Sequence, residues 1–377
     1  MSRLQKILAV AIVVLITLGV VGWWQRDRLI ALVFGPRQTY SESERTVSQD
    51  TIAVAAESLD TPWDVALLPD GDILVTERSG QLVRIGDDQR RVTIEGVLET
   101  SEGGLMGLAL HPDFASNRNI YLAVTTEKDG QPINQIRRYV LDDDAVTNRT
   151  IILDDIPAAQ VHDGGRIAFG PDGKLYITTG DAGQPDLAQD TSSLAGKILR
   201  INDDGSFPED NPFGNAVWSY GHRNPQGIAW DSRERLWSTE HGPSGADTGN
   251  DELNLIEKGA NYGWPVIVGN ETNDGMRTPV LESGKEDTWA PAGLSASGDT
   301  LLFTGLRGQT LYVVPVDQSG AAGSLATYLT REYGRLRAVA VYGESLYVGT
   351  SNRDGRGQPA GNDDRIFEIP LRSILDN

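Results

Sequence analysis

Three of the four histidines in this 377-residue chain fall between Val161 and Pro265, each beside glycine or a polar residue. They stand in His162-Asp163-Gly164-Gly165-Arg166, in Gly221-His222-Arg223-Asn224-Pro225-Gln226-Gly227 and in Glu240-His241-Gly242-Pro243. Imidazole changes charge near neutral pH and is the usual proton acceptor in a reaction. In glycine-rich loops such residues belong to a site more often than to a core. Asp181, in Thr179-Gly180-Asp181, follows the strand after His162 and could hydrogen-bond that ring; the alternative is a turn cap. Four loop arginines, Arg223, Arg307, Arg335 and Arg337, stand out in so acidic a chain. Guanidinium forks match carboxylates bidentately, so their convergence would suit a polyanionic ligand, the alternative being pairing with the chain's own Asp and Glu. Gly242-Pro243 followed by Asp251-Glu252 could offer oxygens to a hard cation such as calcium, or be an ordinary solvated acidic loop.

These residues lie far apart in sequence, so the fold must gather them. From Thr51 onward short β-type runs are punctuated by Gly, Asp, Asn and Pro. Pro69-Asp70-Gly71-Asp72-Ile73-Leu74-Val75-Thr76, followed by Gly80 to Ile85, recurs as Pro171-Asp172-Gly173-Lys174-Leu175-Tyr176-Ile177-Thr178, followed by Gly196 to Ile201. Each copy reads as a tight Asp-Gly turn, a half-buried strand, a connection and an outer strand. Degenerate copies occur at Asn119 to Val124, Arg235 to Thr239, Asp299 to Thr304 and Glu344 to Gly349. Six copies at blade-like spacing predict an all-β six-bladed β-propeller, residues 51–377, with Thr51 to Ala56 closing the ring against the last blade. A pair of sandwiches or a β-solenoid is the competing architecture. Propeller loops gather at one end of a central channel, which would bring the histidines and arginines together.

A net charge of -20 opposes binding to nucleic acid. The absence of cysteine removes disulfides and thiolate ligands. Arg3 and Lys6 precede an uninterrupted apolar run, Ile7 to Trp24, and Arg26 and Arg28 follow it. That length just reaches across a bilayer, and Trp23-Trp24 suits an interfacial belt better than a cleavage site. Residues 1–28 are therefore expected to be an N-terminal transmembrane helix, with a cleaved signal peptide as the alternative. Residues 29–50 read as a spacer.

Taken together, the histidine phrases, Asp251-Glu252-Leu253-Asn254-Leu255-Ile256 and Asn261-Tyr262-Gly263-Trp264-Pro265 resemble the soluble-type PQQ-dependent aldose sugar dehydrogenases. These are also called the glucose/sorbosone dehydrogenase family. The resemblance covers about residues 55 to 370. It implies a six-bladed propeller that binds pyrroloquinoline quinone (PQQ) with calcium beneath the quinone. His162 matches the family's catalytic base. Arg223 and Asn224 match cofactor contacts, and Gly242 and Pro243 the carbonyl ligands of the catalytic calcium. Arg335 and Arg337 match a pair that grips the cofactor carboxylates, and Arg307 the place of a basic contact, often Lys. Glu102 matches a site residue that is Gln in glucose-specialised members. Asp251, Glu252 and Tyr262 resemble a second, structural calcium site.

The resemblance implies oxidation of an aldose at C1 to the aldono-lactone, His162 removing the hydroxyl proton while hydride passes to the quinone. Electrons would leave to an external acceptor, and the protein would work on the periplasmic side of the cell envelope. Val161 stands where glucose-specialised members carry Asp, Ala338 where Asp is usual, and their longer loops are missing, which puts tight glucose specificity in doubt. Two rivals are a propeller that binds sugar without catalysis and a calcium-dependent lactonase. The lactonase would want carboxylates and amides from several blades and no clustered arginines.

Overall fold

The computed structural model describes residues 43–143, 145–243 and 249–376. The recurring phrase, rich in Ile, Leu, Val and Thr that favour extended backbone, forms the second strand of each of six four-stranded antiparallel sheets. With strands numbered in chain order, these are β3 (Ile73–Glu77), β7 (Asn119–Lys128), β11 (Leu175–Thr179), β15 (Leu236–Glu240), β19 (Thr300–Gly305) and β23 (Ser345–Thr350). The innermost strands are β2 (Pro62–Leu67), β6 (Leu105–Leu110), β10 (Ile167–Phe169), β14 (Pro225–Trp230), β18 (Pro291–Ser297) and β22 (Leu336–Tyr342). Each packs on the next around a ring, β22 returning to β2, so the sheets are the blades of a six-bladed propeller. The strand β1 (Ala53–Ala56) pairs antiparallel with β24 (Ile366–Pro370) and supplies the outermost strand of the sixth blade, as the closure expectation required.

The second strands were expected to be half-buried; every residue of β3, β11 and β15 is buried. A propeller blade has neighbours on both faces, which removes the solvent side that alternation normally marks. The threonines of the phrase join blades: Thr76 Oγ1 donates to Met106 O at 2.6 Å, Thr239 Oγ1 to Ala292 O at 3.0 Å and Thr304 Oγ1 to Arg337 O at 2.6 Å. Only two α-helices, Phe114–Asn117 and Arg372–Leu375, occur among the described residues.

The expected membrane helix lies outside the described residues, and no described helix is long and apolar enough to cross a membrane. The end of the expected spacer belongs to the fold. Arg45 N–H donates to Thr327 O at 2.9 Å, Thr327 N–H to Ser43 O at 3.2 Å, and Val47 is buried against blades five and six.

Candidate active site

Innermost strands begin, and second strands end, at the same rim of the channel, because the two are antiparallel. That rim receives every loop the sequence singled out. Glu102 precedes β6, His162 precedes β10 and Asp181 follows β11. Arg223 and Asn224 precede β14, His241 to Pro243 follow β15, Arg307 follows β19, and Arg335 and Arg337 flank the start of β22.

His162 Nδ1 meets Asp181 Oδ1 at 2.7 Å, and Asp181 also accepts Gly183 N–H at 2.8 Å and Trp264 Nε1–H at 2.8 Å. Burial would raise the Asp181 carboxyl, but these hydrogen bonds and the imidazole bring it below the ordinary range. An ionised Asp181 fixes the ring with Nε2 as the nitrogen open to a substrate. The glycines allow this approach: a Cβ on Gly180 would sit 1.9 Å from His162 O. Asn224 Oδ1 accepts Gly164 N–H at 3.0 Å, tying the His162 loop to the fourth blade.

The arginines differ in their partners. Arg335 pairs with Asp354 (Nε and Nη2 to Oδ2 at 2.9 and 2.8 Å), so of the Arg335–Arg337 pair only the first has a carboxylate of its own. Asp354 lies in the loop after β23, 19 residues on in the same blade, a partner that the Arg-x-Arg spacing itself could not reveal. Arg337, 3 % exposed, makes no ion pair among the described residues. It donates to Gln226 Oε1 at 3.1 Å and stands 5.6 Å from the Trp63 ring centre. Burial, with Arg78 and Arg335 adding repulsion, depresses its pKa to about 9 against the pull of Asp354 and Glu102. Arg223 is buried with its guanidinium 5.3 Å from the Trp264 ring centre, and Arg307 is half-buried at the end of β19.

Around them lie polar atoms with no partner. Asn224 Nδ2 and His241 Nε2 are sealed from solvent and unbonded. Burial lowers the His241 pKa to about 4, so the ring is neutral at pH 7 and one nitrogen can accept a hydrogen bond or both can be met by a ligand. Orphaned buried polar atoms beside a buried, unpaired cation are what an anionic, hydrogen-bonding ligand would complete.

A small pocket brings Gly242, Pro243, Glu252 and Tyr262 together with Arg223 and Trp264. Asp251 borders it through Gly242. Its carboxylate accepts Gly242 N–H at 2.9 Å, Thr288 Oγ1–H at 2.9 Å, Trp289 N–H at 2.7 Å and Ala290 N–H at 2.9 Å. Its Oδ2 is consumed in clamping blades four and five, while Oδ1 carries the one bond from Gly242. The Tyr262 hydroxyl is likewise committed, donating to Leu255 O at 2.6 Å and accepting Glu257 N–H at 2.9 Å. Oxygen ligation here would fall to Glu252 and main-chain carbonyls. Burial and the cross-strand Glu240 push Glu252 well above the ordinary carboxyl range, a repulsion that a cation would relieve. Among the described residues no group of three or more His, Cys, Asp or Glu is arranged to hold a metal ion.

His222, conspicuous in sequence, is wholly buried. It bridges Ser219 Oγ (2.9 Å) and Glu240 Oε2 (2.8 Å) and stacks on Tyr262. The other Glu240 oxygen accepts Arg223 N–H, so this pair supports the Arg223 loop from behind. Trp63, Trp264 and Arg356 are rim residues the sequence reading did not single out. Arg356 follows the sixth second strand, where Asp181 and Arg307 follow theirs, and that shared position in the blade repeat was the available signal.

The Glucose / Sorbosone dehydrogenase family model matches residues 59–358. Quinoprotein glucose dehydrogenase B of Acinetobacter calcoaceticus is 35 % identical over 260 residues, covering 59 % of this chain and 54 % of that protein. Aldose sugar dehydrogenase YliI of Escherichia coli is 36 % identical over 245 residues, covering 60 % of this chain and 65 % of that protein. The chain thus spans just over half of the first relative's length and under two thirds of the second's. The solved PQQ-bound form of an aldose sugar dehydrogenase from Streptomyces coelicolor matches at a TM-score of 0.80 with 40 % identity, covering 85 % of this chain and 97 % of that one.

Proposed function

This chain belongs to the glucose/sorbosone dehydrogenase family, and from that membership we propose that it oxidises aldose sugars at C1 to aldono-lactones, using PQQ and calcium. The observation that carries the reading is Arg337: a guanidinium buried in the channel wall, without a carboxylate, beside unbonded Asn224 Nδ2 and His241 Nε2. Arg337, Arg335, Arg223, Asn224 and Arg307 would hold the carboxylate-bearing quinone, with Glu102 close by. The carbonyls of Gly242 and Pro243, with Glu252 and the main chain of Tyr262 nearby, would hold calcium. When bound, the quinone supplies a two-electron acceptor for the C1 hydride and calcium a Lewis acid.

The chain's own part is proton transfer and orientation. His162 Nε2 takes the C1 hydroxyl proton, while Asp181 on Nδ1 holds the tautomer and stabilises the imidazolium. Trp264 fixes the second Asp181 oxygen, so the dyad cannot swing away from the channel.

The proposal extends to the cell. Residues 1–28 anchor the protein in the membrane, the spacer that follows links the anchor to the catalytic propeller on the periplasmic side, its end from Ser43 packing on that propeller, and an external acceptor takes the electrons. The decisive experiment reconstitutes the purified protein with PQQ and calcium and follows dye reduction over a panel of aldoses. Turnover with aldoses, dependent on both additions, is expected. Dye reduction by no aldose, with PQQ demonstrably bound, would overturn the sugar reading.

A further inference from the structure

We propose that Arg356 is a positioning residue for His162, acting through Glu102 across the mouth of the channel. Its significance for catalysis rests on the function proposed above; the contact itself does not.

The His162 backbone has φ 63°, in the left-handed region that a side chain with a Cβ adopts only where its surroundings impose it. Two bonds impose it here. His162 N–H donates to Glu102 Oε2 at 2.8 Å, and His162 O accepts Ala182 N–H at 3.2 Å. The second is main chain to main chain within the third blade. The first depends on a side chain from the loop before β6, which must itself be held.

Arg356 holds it. Nη1 donates to Glu102 Oε1 at 3.0 Å and Nη2 to Ser101 Oγ at 3.1 Å, so one guanidinium grips two consecutive residues of that loop. Asp354, paired with Arg335, accepts Arg356 N–H at 2.9 Å and anchors the turn from which Arg356 reaches out. Loops of blades six, two and three are thereby linked in series, ending on the backbone of the proposed base. Charge fits the same assignment. Burial would raise the Glu102 carboxyl, but Arg356 and the His162 N–H bring it below its ordinary range. An ionised carboxylate accepts at both oxygens, as two facing donors require. An amide at position 102 has one acceptor and one donor, so either Arg356 or His162 N–H would meet an N–H.

The test uses the full-length chain labelled with [15N]histidine, whose four histidines give four backbone amide signals, His162 being identified by its loss in His162→Asn. A hydrogen bond to a charged acceptor that is lost opens its amide locally, so Arg356→Met should speed exchange at His162 by about tenfold or more, leaving the other three unchanged. In protein reconstituted with PQQ and calcium, kcat should fall by about tenfold with sugar KM within about twofold, because remote alignment of a base is lost. Arg356→Lys should restore most of both. Glu102→Ala, which removes the acceptor, should reproduce the exchange effect, and the double variant should be no worse than the worse single, since all act through one chain of contacts. Unchanged exchange at His162 in Arg356→Met, or additive effects in the double variant, would overturn the proposal. If wild-type protein oxidises no aldose, the function reading fails alone and amide exchange still decides the role of Arg356.

Discussion

An arginine buried without a carboxylate is costly until something anionic arrives, and Arg337 is that residue here. Two outcomes follow from the same geometry. Arg337→Met should weaken PQQ binding by roughly 30-fold or more, the usual consequence of truncating a desolvated charge contact. In the absence of cofactor the variant should melt no lower than wild type, because the substitution removes an uncompensated charge. Titration of PQQ into both apoproteins, with melting curves alongside, reads both. His162→Ala should cut turnover by about 10² to 10⁴ with PQQ affinity retained, as for other positioned bases; near-normal turnover would remove His162 from that role. Asp163, next in sequence, has one oxygen without a partner, and burial with Glu102 nearby raises its pKa to about 7. A carboxyl raised in the folded state favours the protonated form, so its contribution is full below its unfolded value and is lost as pH rises through about 7. Asp163→Asn should therefore gain stability relative to wild type above pH 7 and show little gain at pH 4, measurable as melting temperature against pH.

At the scale of elements, the site loops are stiff because structures behind them are closed by buried polar groups. Lys197, the first residue of the third strand of blade three and fully buried, donates through Nζ to Leu187 O at 2.7 Å, Ala188 O at 3.0 Å and Ala195 O at 2.6 Å. Those carbonyls belong to the loop containing Gln189, whose Nε2 donates to Trp264 O at 2.6 Å, and Trp264 in turn donates to Asp181. Lys197→Met would remove all three bonds and leave Ala195 O without a donor, since Leu187 O also accepts Asp190 N–H and Ala188 O accepts Gly221 N–H; the expected cost is about 1–3 kcal/mol in urea unfolding with an unchanged m-value. Lower kcat in the folded fraction would show that the Gln189 loop aligns Trp264 and Asp181.

For the whole molecule, ring closure by β1 is the feature on which the other blades depend. Removing residues 1–42 should leave a folded propeller, since all four strands of each of the six described blades lie beyond them. If residues 7–24 are the anchor, the same deletion should release the protein from membranes. Removing residues 1–56 takes away β1 and the buried Val47, exposes the edge of β24, and should lower the melting temperature and promote association. Comparing the two truncations by melting and by light scattering separates the anchor from the closure.

The sequence alone determined the elements that repeat and the residues that local rules govern. The phrase at Asp70 to Thr76 and its five echoes marked the second strand of each blade, because turn chemistry and β-branched runs act over a few residues. Six copies settled the blade number and, with Thr51 to Ala56 left over, the closure. Glycines around His162 and His222 marked the loops that approach one another, since only glycine tolerates the contact at Gly180. What only the tertiary structure decided was which polar group meets which. Arg335 and Arg337, one residue apart, diverged because Asp354 from another loop reached only the first. Asp251 became a clamp because Thr288, Trp289 and Ala290 folded onto it. Arg356 gained its role only when Glu102 lay across the channel mouth. Strand pairing follows short-range pattern, but the partner of a charge is set by burial and by residues 19 to 254 positions away in these cases.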